Sequence, residues 1–110
     1  MDPDFSPIRR FERFSVELTV VCLSDTPRLP DRAFNLSAGG ARIESTTPLP
    51  AGTRHRFCFI VPDARQRGAV IDVSGVVAWA DHHAMGIKFE GHVGGIDDYV
   101  KRLERSTHSI

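Results

Sequence analysis

The sequence predicts an all-β barrel that carries a single helix, and three observations lead there. Short stretches of period-two alternation recur between Phe14 and Phe89, each bounded by Pro, Gly or polar turn residues. No internal repeat or low-complexity tract interrupts them. Only near the C-terminus does the apolar period become helical. Strands followed by one helix favour a closed sheet with a helical lid. A chain of 110 residues fits one domain, and 41% hydrophobic with 25% charged residues suits one buried core, not disorder.

The elements follow in order. Residues 1–8 hold two prolines and two aspartates with little periodicity and are expected to form a flexible arm. From Phe14, Val16, Leu18, Val20 and Cys22 share one face of a strand that ends before Pro27 and Pro30. A short strand over Ala33 to Leu36 meets a tight turn at Ser37-Ala38-Gly39-Gly40. Ala41 and Ile43 then alternate with Arg42 and Glu44. Pro48, Pro50 and Gly52 mark a loop before Phe57, Phe59 and Val61, and Asp63 to Gly68 form a polar turn. Ile71, Val73, Gly75, Val77 and Trp79 are expected on one face of a long strand bent at Gly75. A turn at His82-His83 leads to a last strand, Met85 to Phe89. Ile96, Val100 and Leu103 then fall at helical spacing, with Asp97 and Asp98 early and Lys101, Arg102 and Arg105 late, an order that suits the helix dipole. Residues 107–110 are a tail.

Lys+Arg 14 balances Asp+Glu 14, so the chain has no global field for a nucleic-acid polymer. The cations are nonetheless distinctive: all are Arg except Lys88 and Lys101. A guanidinium grips a phosphate or a guanine edge with two parallel bonds, as an ammonium does not. A genome rich in Arg codons is the better account of most of them, so position decides which ones matter. Cys22 and Cys58 lie in apolar runs and are expected as two buried thiols in a reducing cytosol. No apolar run reaches the length of a membrane span, and the acidic start Met1-Asp2-Pro3-Asp4 is unlike a signal peptide. The expected location is the cytoplasm, with no membrane insertion.

Two clusters stand apart from this scaffold. Arg9, Arg10 and Arg13 crowd three guanidiniums where the arm enters the first strand, which suits either a bound anion or a solvated basic turn. Asn35 and Ser37 lie two apart on a strand and so point to one face, one offering an amide and the other a hydroxyl. Gly40 permits either a positive φ or close backbone approach to a ligand. A Gly-rich hairpin whose Asn and Ser satisfy their own backbone is the alternative.

Together, Arg9-x-x-x-Arg13 and Asn35-x-Ser37-x-x-Gly40 resemble the RxxxR and (D/N)xSxxG signature of PilZ domains. The resemblance extends through Ala41-Arg42-Ile43-Glu44, the Pro48 to Gly52 connection, Gly75 to Trp79 and Met85 to Phe89, about residues 8 to 105. It implies a domain over residues 9–106 built as a six-stranded antiparallel barrel with a C-terminal helix. The implied ligand is the bacterial second messenger cyclic di-GMP. In that reading Arg9 and Arg13 hold phosphates and guanine O6/N7 edges, Asn35 meets a guanine edge, Ser37 meets a phosphate or base atom, and Gly40 leaves room for the ring. The arm would fold over the ligand and signal to a separate, unidentified protein. Arg10 adds a phosphate contact or faces solvent, and Arg42 reaches the ligand or only solvent. Trp79 is expected in the core, with stacking on a guanine as the alternative. Ile8 stands where relatives that stack two ligand copies often carry a further Arg, which favours one bound molecule.

No metal or catalytic site is expected. His55, His92 and His108 show no HxxxH or HExxH spacing, and adjacent His82 and His83 share a metal only if they sit on a turn. No nucleophile elbow, P-loop or Rossmann fingerprint occurs, so the expectation is a receptor and not an enzyme. Two rivals stand beside it: a PilZ-like adaptor that works through protein contacts without cyclic di-GMP, and a small OB-like nucleic-acid barrel. The OB-like barrel requires exposed aromatics among basic residues.

Overall fold

A computed structural model describes residues 13–23, 28–63 and 65–108, with side chains to residue 106. Among the described residues, six antiparallel strands, β1 (Phe14–Cys22), β2 (Asp31–Ser37), β3 (Gly40–Glu44), β4 (Arg54–Pro62), β5 (Gly68–Ala80) and β6 (Ala84–Phe89), precede one helix, α1 (Gly94–His108). The strands close a barrel in the order β1-β2-β3-β6-β5-β4, with β4 returning to β1. The six-stranded barrel and the single C-terminal helix are those expected from the sequence.

Alternation sorts the side chains. Leu18, Val20, Ala33, Leu36, Ile43, Phe57, Phe59, Val61, Val73, Val77, Met85 and Ile87 fill one core. Burying each large member fully stabilises the fold by about 1.5–3 kcal/mol. Phe59 and Phe89 meet edge to face at 5.7 Å in that core. The apolar stripe of α1, Ile96, Tyr99 and Val100 with half-buried Leu103, joins the same cluster. The helix starts against β5, where a side chain on Gly95 would come within 3.2 Å of Ile71. Arg102 ties it to β4 by donating to the Pro62 carbonyl at 3.0 Å and lies over the Tyr99 ring at 5.2 Å. Lys101 pairs with Asp97 one turn away at 3.1 Å.

Three strands are longer than their apolar cores suggest. β4 begins at Arg54 and β5 at Gly68, because the polar ends of both strands continue the same unbroken ladder from Arg54↔Val76 to Pro62↔Gly68. β2 begins at Asp31, immediately after Pro30. Asp31 is buried beside Arg28 at 3.8 Å and accepts a contact from the Cys22 thiol at 3.6 Å. Burial, with the neighbouring Asp31 carboxyl, pushes the Cys22 thiol up to about 11. Cys58 departs from the expected burial: it is half-buried on the outer face of β4. Val21 pairs with Cys58 and Cys22 with Phe57, so the two thiols point to opposite sides of the sheet and stay free.

Candidate ligand-binding site

β3 pairs with β6, some forty residues further along the chain, and this non-local pairing builds the site. Register runs from Ser15 to Asn35, from Asn35 to Arg42, from Arg42 to Gly86 and from Gly86 to Trp79. Leu36, Ala41, Ile43, Ile87 and Val77 around this row face the core, so the row itself lies on the outer wall. It spans β1, β2, β3, β6 and β5.

Trp79 is the clearest departure from expectation. It is 43% exposed, not in the core. Val77 pairs with Ile87 and Trp79 with Gly86, so two residues advance on β5 for one on β6. This bulge breaks the alternation after Val77 and turns the indole outward. The ring then covers Gly86, where a Cβ would stand 2.1 Å from the indole Nε1. Gly86 is therefore the seat of Trp79: one face of the indole is packed and part of the ring stays accessible.

The turn between β2 and β3 is held by Ser37, which is buried. Its Oγ accepts the amides of Gly39 and Gly40, both at 3.2 Å. A hydroxyl has two acceptor lone pairs and one donor. Both lone pairs are thus filled, and the O–H has only a long 3.4 Å contact to the Gly40 carbonyl. Of the two expected purposes of Gly40, a positive φ is not the one it serves. Positive-φ glycines among the described residues are Gly52 and Gly91, and a Cβ at position 40 would lie 2.3 Å from the Ile87 carbonyl oxygen. Close approach of β3 to β6 demands glycine there. Gly39 secures the same corner by accepting the Phe89 amide at 2.9 Å.

Arg13 precedes β1 and is exposed. Phe14 pairs with Leu36, so the register carries Arg13 to the Ser37 end of β2. Arg42 is exposed at the centre of the row, with Asp81 as its electrostatic neighbour. Arg32, Arg54, Arg56 and Arg67 instead pair with Glu17, Glu90, Asp72 and Asp63. Arg28 and Arg102 are committed to Asp31 and to the Pro62 carbonyl. Asp81 orders the β5–β6 turn by accepting the amides of His83 and Ala84, both at 2.8 Å, and these bonds hold its carboxyl below the usual range. Arg9, Arg10 and Ile8 lie outside the described residues.

The structure thus gathers Arg13, Asn35, Ser37, Gly40, Arg42 and Trp79 along one wall. Sequence motifs passed over Lys88, which is exposed on β6, directly opposite Gly40 and Val76. The alternation Met85, Ile87, Phe89 against Gly86, Lys88 could have turned it outward, but only the β3–β6 pairing sets it beside the serine turn. His82 and His83 stand together on the β5–β6 turn, ring centroids 6.3 Å apart. No group of three or more metal-ligating side chains forms among the described residues. No helix there is long and apolar enough to cross a membrane.

Residues 7–105 match the family described as PilZ domain. Among curated proteins, the S-adenosylmethionine:tRNA ribosyltransferase-isomerase of Gloeobacter violaceus is 32% identical over 97 residues, covering 82% of this chain and 26% of that protein. The chain thus spans about a quarter of that relative's length. Among solved structures, the Bacillus subtilis inhibitor of motility, MotI/DgrA, is similar with a TM-score of 0.74 at 18% identity. That likeness covers 91% of this chain and 53% of that one, and it is a likeness of fold.

Proposed function

The chain belongs to the PilZ domain family, and from that premise we propose that it is a non-catalytic receptor for cyclic di-GMP that signals to a partner protein. The observation that carries this reading is the row Asn35, Arg42, Gly86, Trp79, bordered by Arg13 and the Ser37 turn. It combines what a cyclic dinucleotide needs. The guanidiniums of Arg13 and Arg42 suit phosphates and guanine O6/N7 edges. Asn35 supplies an amide for a base edge. The Ser37 O–H, its lone pairs already filled, suits an acceptor such as a phosphate oxygen. Trp79 offers a flat face for a guanine. Gly40 acts through packing, by letting β3 approach β6 so that the turn meets the wall.

Arg9 and Arg10 complete the basic cluster in this reading, and the segment that carries them closes over the ligand. Closure of that segment would change the surface seen by the partner. Calorimetric titration tests the proposal. Cyclic di-GMP should bind saturably, with about one molecule per chain, while GMP and GTP at the same concentrations should not. Arg13→Ala should weaken binding at least about tenfold, the scale of one charge-assisted hydrogen bond, without lowering thermal stability. Heat changes indistinguishable from dilution with the wild-type chain would leave the adaptor reading in place of the receptor.

A further inference from the structure

We infer that Lys88 is a further binding residue of this wall, placing its ammonium on a ligand phosphate at the Ser37 turn. The inference rests on the receptor reading above and deepens it. Three observations support it. First, Lys88 faces outward: Ile87 and Phe89 on either side are buried, and Lys88 is exposed. Second, it stands against the turn. Gly40 is its register partner, and a Cβ built on Gly40 would lie 3.5 Å from the Lys88 Cα. The Ser37 O–H of that turn makes only a long 3.4 Å contact to the Gly40 carbonyl, and Gly40 is the residue opposite Lys88, so a hydroxyl donor and a lysine share one corner of the sheet.

Third, Lys88 is spaced for the other end of a nucleotide. Gly86, which seats the Trp79 indole, lies two residues back along β6 on the same face, about 6.5–7 Å away. A base stacked on Trp79 would then have Lys88 within reach of its phosphate. Arg42, opposite Gly86, is aligned with the base, and Lys88, opposite Gly40, with the phosphate. The division suits their chemistry: a planar fork reads a base edge, whereas an ammonium is a compact charge for a phosphate.

The experiment compares the full chain with Lys88→Met, Lys88→Arg and Lys88→Glu in titrations with cyclic di-GMP at low and high ionic strength. Lys88→Met keeps the aliphatic stem and should bind about fivefold more weakly at low salt, as expected for an exposed ion pair. Its affinity should also fall less steeply with salt than that of the wild type. Lys88→Arg should restore most of the affinity, and Lys88→Glu should lose about tenfold or more. Thermal midpoints should match across the set. If the wild type binds and Lys88→Met binds equally at both salts, the role of Lys88 is overturned while the receptor reading stands. If the wild type itself does not bind, the receptor reading fails, and Lys88 with it.

Discussion

Glycine 86 and tryptophan 79 are separated by a tight turn in sequence and fused into one feature in space. Any side chain at position 86 collides with the indole, since even a Cβ would sit 2.1 Å from its Nε1. Gly86→Val should therefore lift the indole from the wall. Trp79 is the only tryptophan of the chain, so intrinsic fluorescence reads this site alone. The variant should show red-shifted emission with an unchanged β-sheet circular dichroism spectrum. It should also bind cyclic di-GMP about tenfold more weakly, because base–aromatic stacking contributes about 1–3 kcal/mol. At this scale Asn35 reaches the wall through a register shift after buried Ala33 that reverses the alternation of β2, whereas the outward side of Arg42 and the short Ser37 turn were legible in the sequence. The indole was not. One extra residue in β5 reverses every parity argument beyond Val77, and nothing in Gly75-Val76-Val77-Ala78-Trp79 marks where that residue is inserted. Gly40 shows the converse case, a glycine singled out by its motif whose constraint in the fold is the Ile87 carbonyl of another strand.

Among the elements, the β5–β6 hairpin is the one that presents Trp79, and Asp81 shapes its turn. The carboxyl accepts two backbone amides, which hold its pKa below the ordinary value of 3.8. A depressed folded-state pKa contributes stability that is fully present above 3.8 and is lost as pH falls through the lowered value. Asp97 behaves the same way through Lys101 on α1. Unfolding free energy measured by denaturant should therefore decline in wild type as pH drops below 3.8, and Asp81→Ala should be less stable at neutral pH with a shallower acid decline. A variant with the same pH dependence as wild type would detach Asp81 from the turn. Every strand and the helix were legible from periodicity, and their limits less so. β4 and β5 extend into polar residues because each backbone is satisfied by the other, and such pairing overrides side-chain pattern at strand ends.

For the whole molecule, closure of the barrel matters more than any single strand. The sequence implies six strands, but not that β3 lies beside β6 while β4 returns to β1. That order creates the wall on which Asn35, Arg42, Gly86, Trp79 and Lys88 meet, and it explains why Lys88 carries no signature in the linear chain. Balanced charge fits the same picture. Arg32, Arg54, Arg56 and Arg67 pair with acidic partners elsewhere on the barrel, so their charges are largely spent away from this wall.

The most direct measurement is a titration of the ¹⁵N-labelled chain with cyclic di-GMP followed by amide correlation spectra. The amides of Asn35, Gly39, Gly40, Arg42, Gly86 and Lys88 and the Trp79 indole N–H should shift together and saturate. Val21, Cys58, Ile60 and Val70, on the far outer face of β1, β4 and β5, should stay in place. Saturating shifts confined to that far face, or spectra unchanged by excess ligand, would contradict a nucleotide-binding wall on β2, β3, β5 and β6.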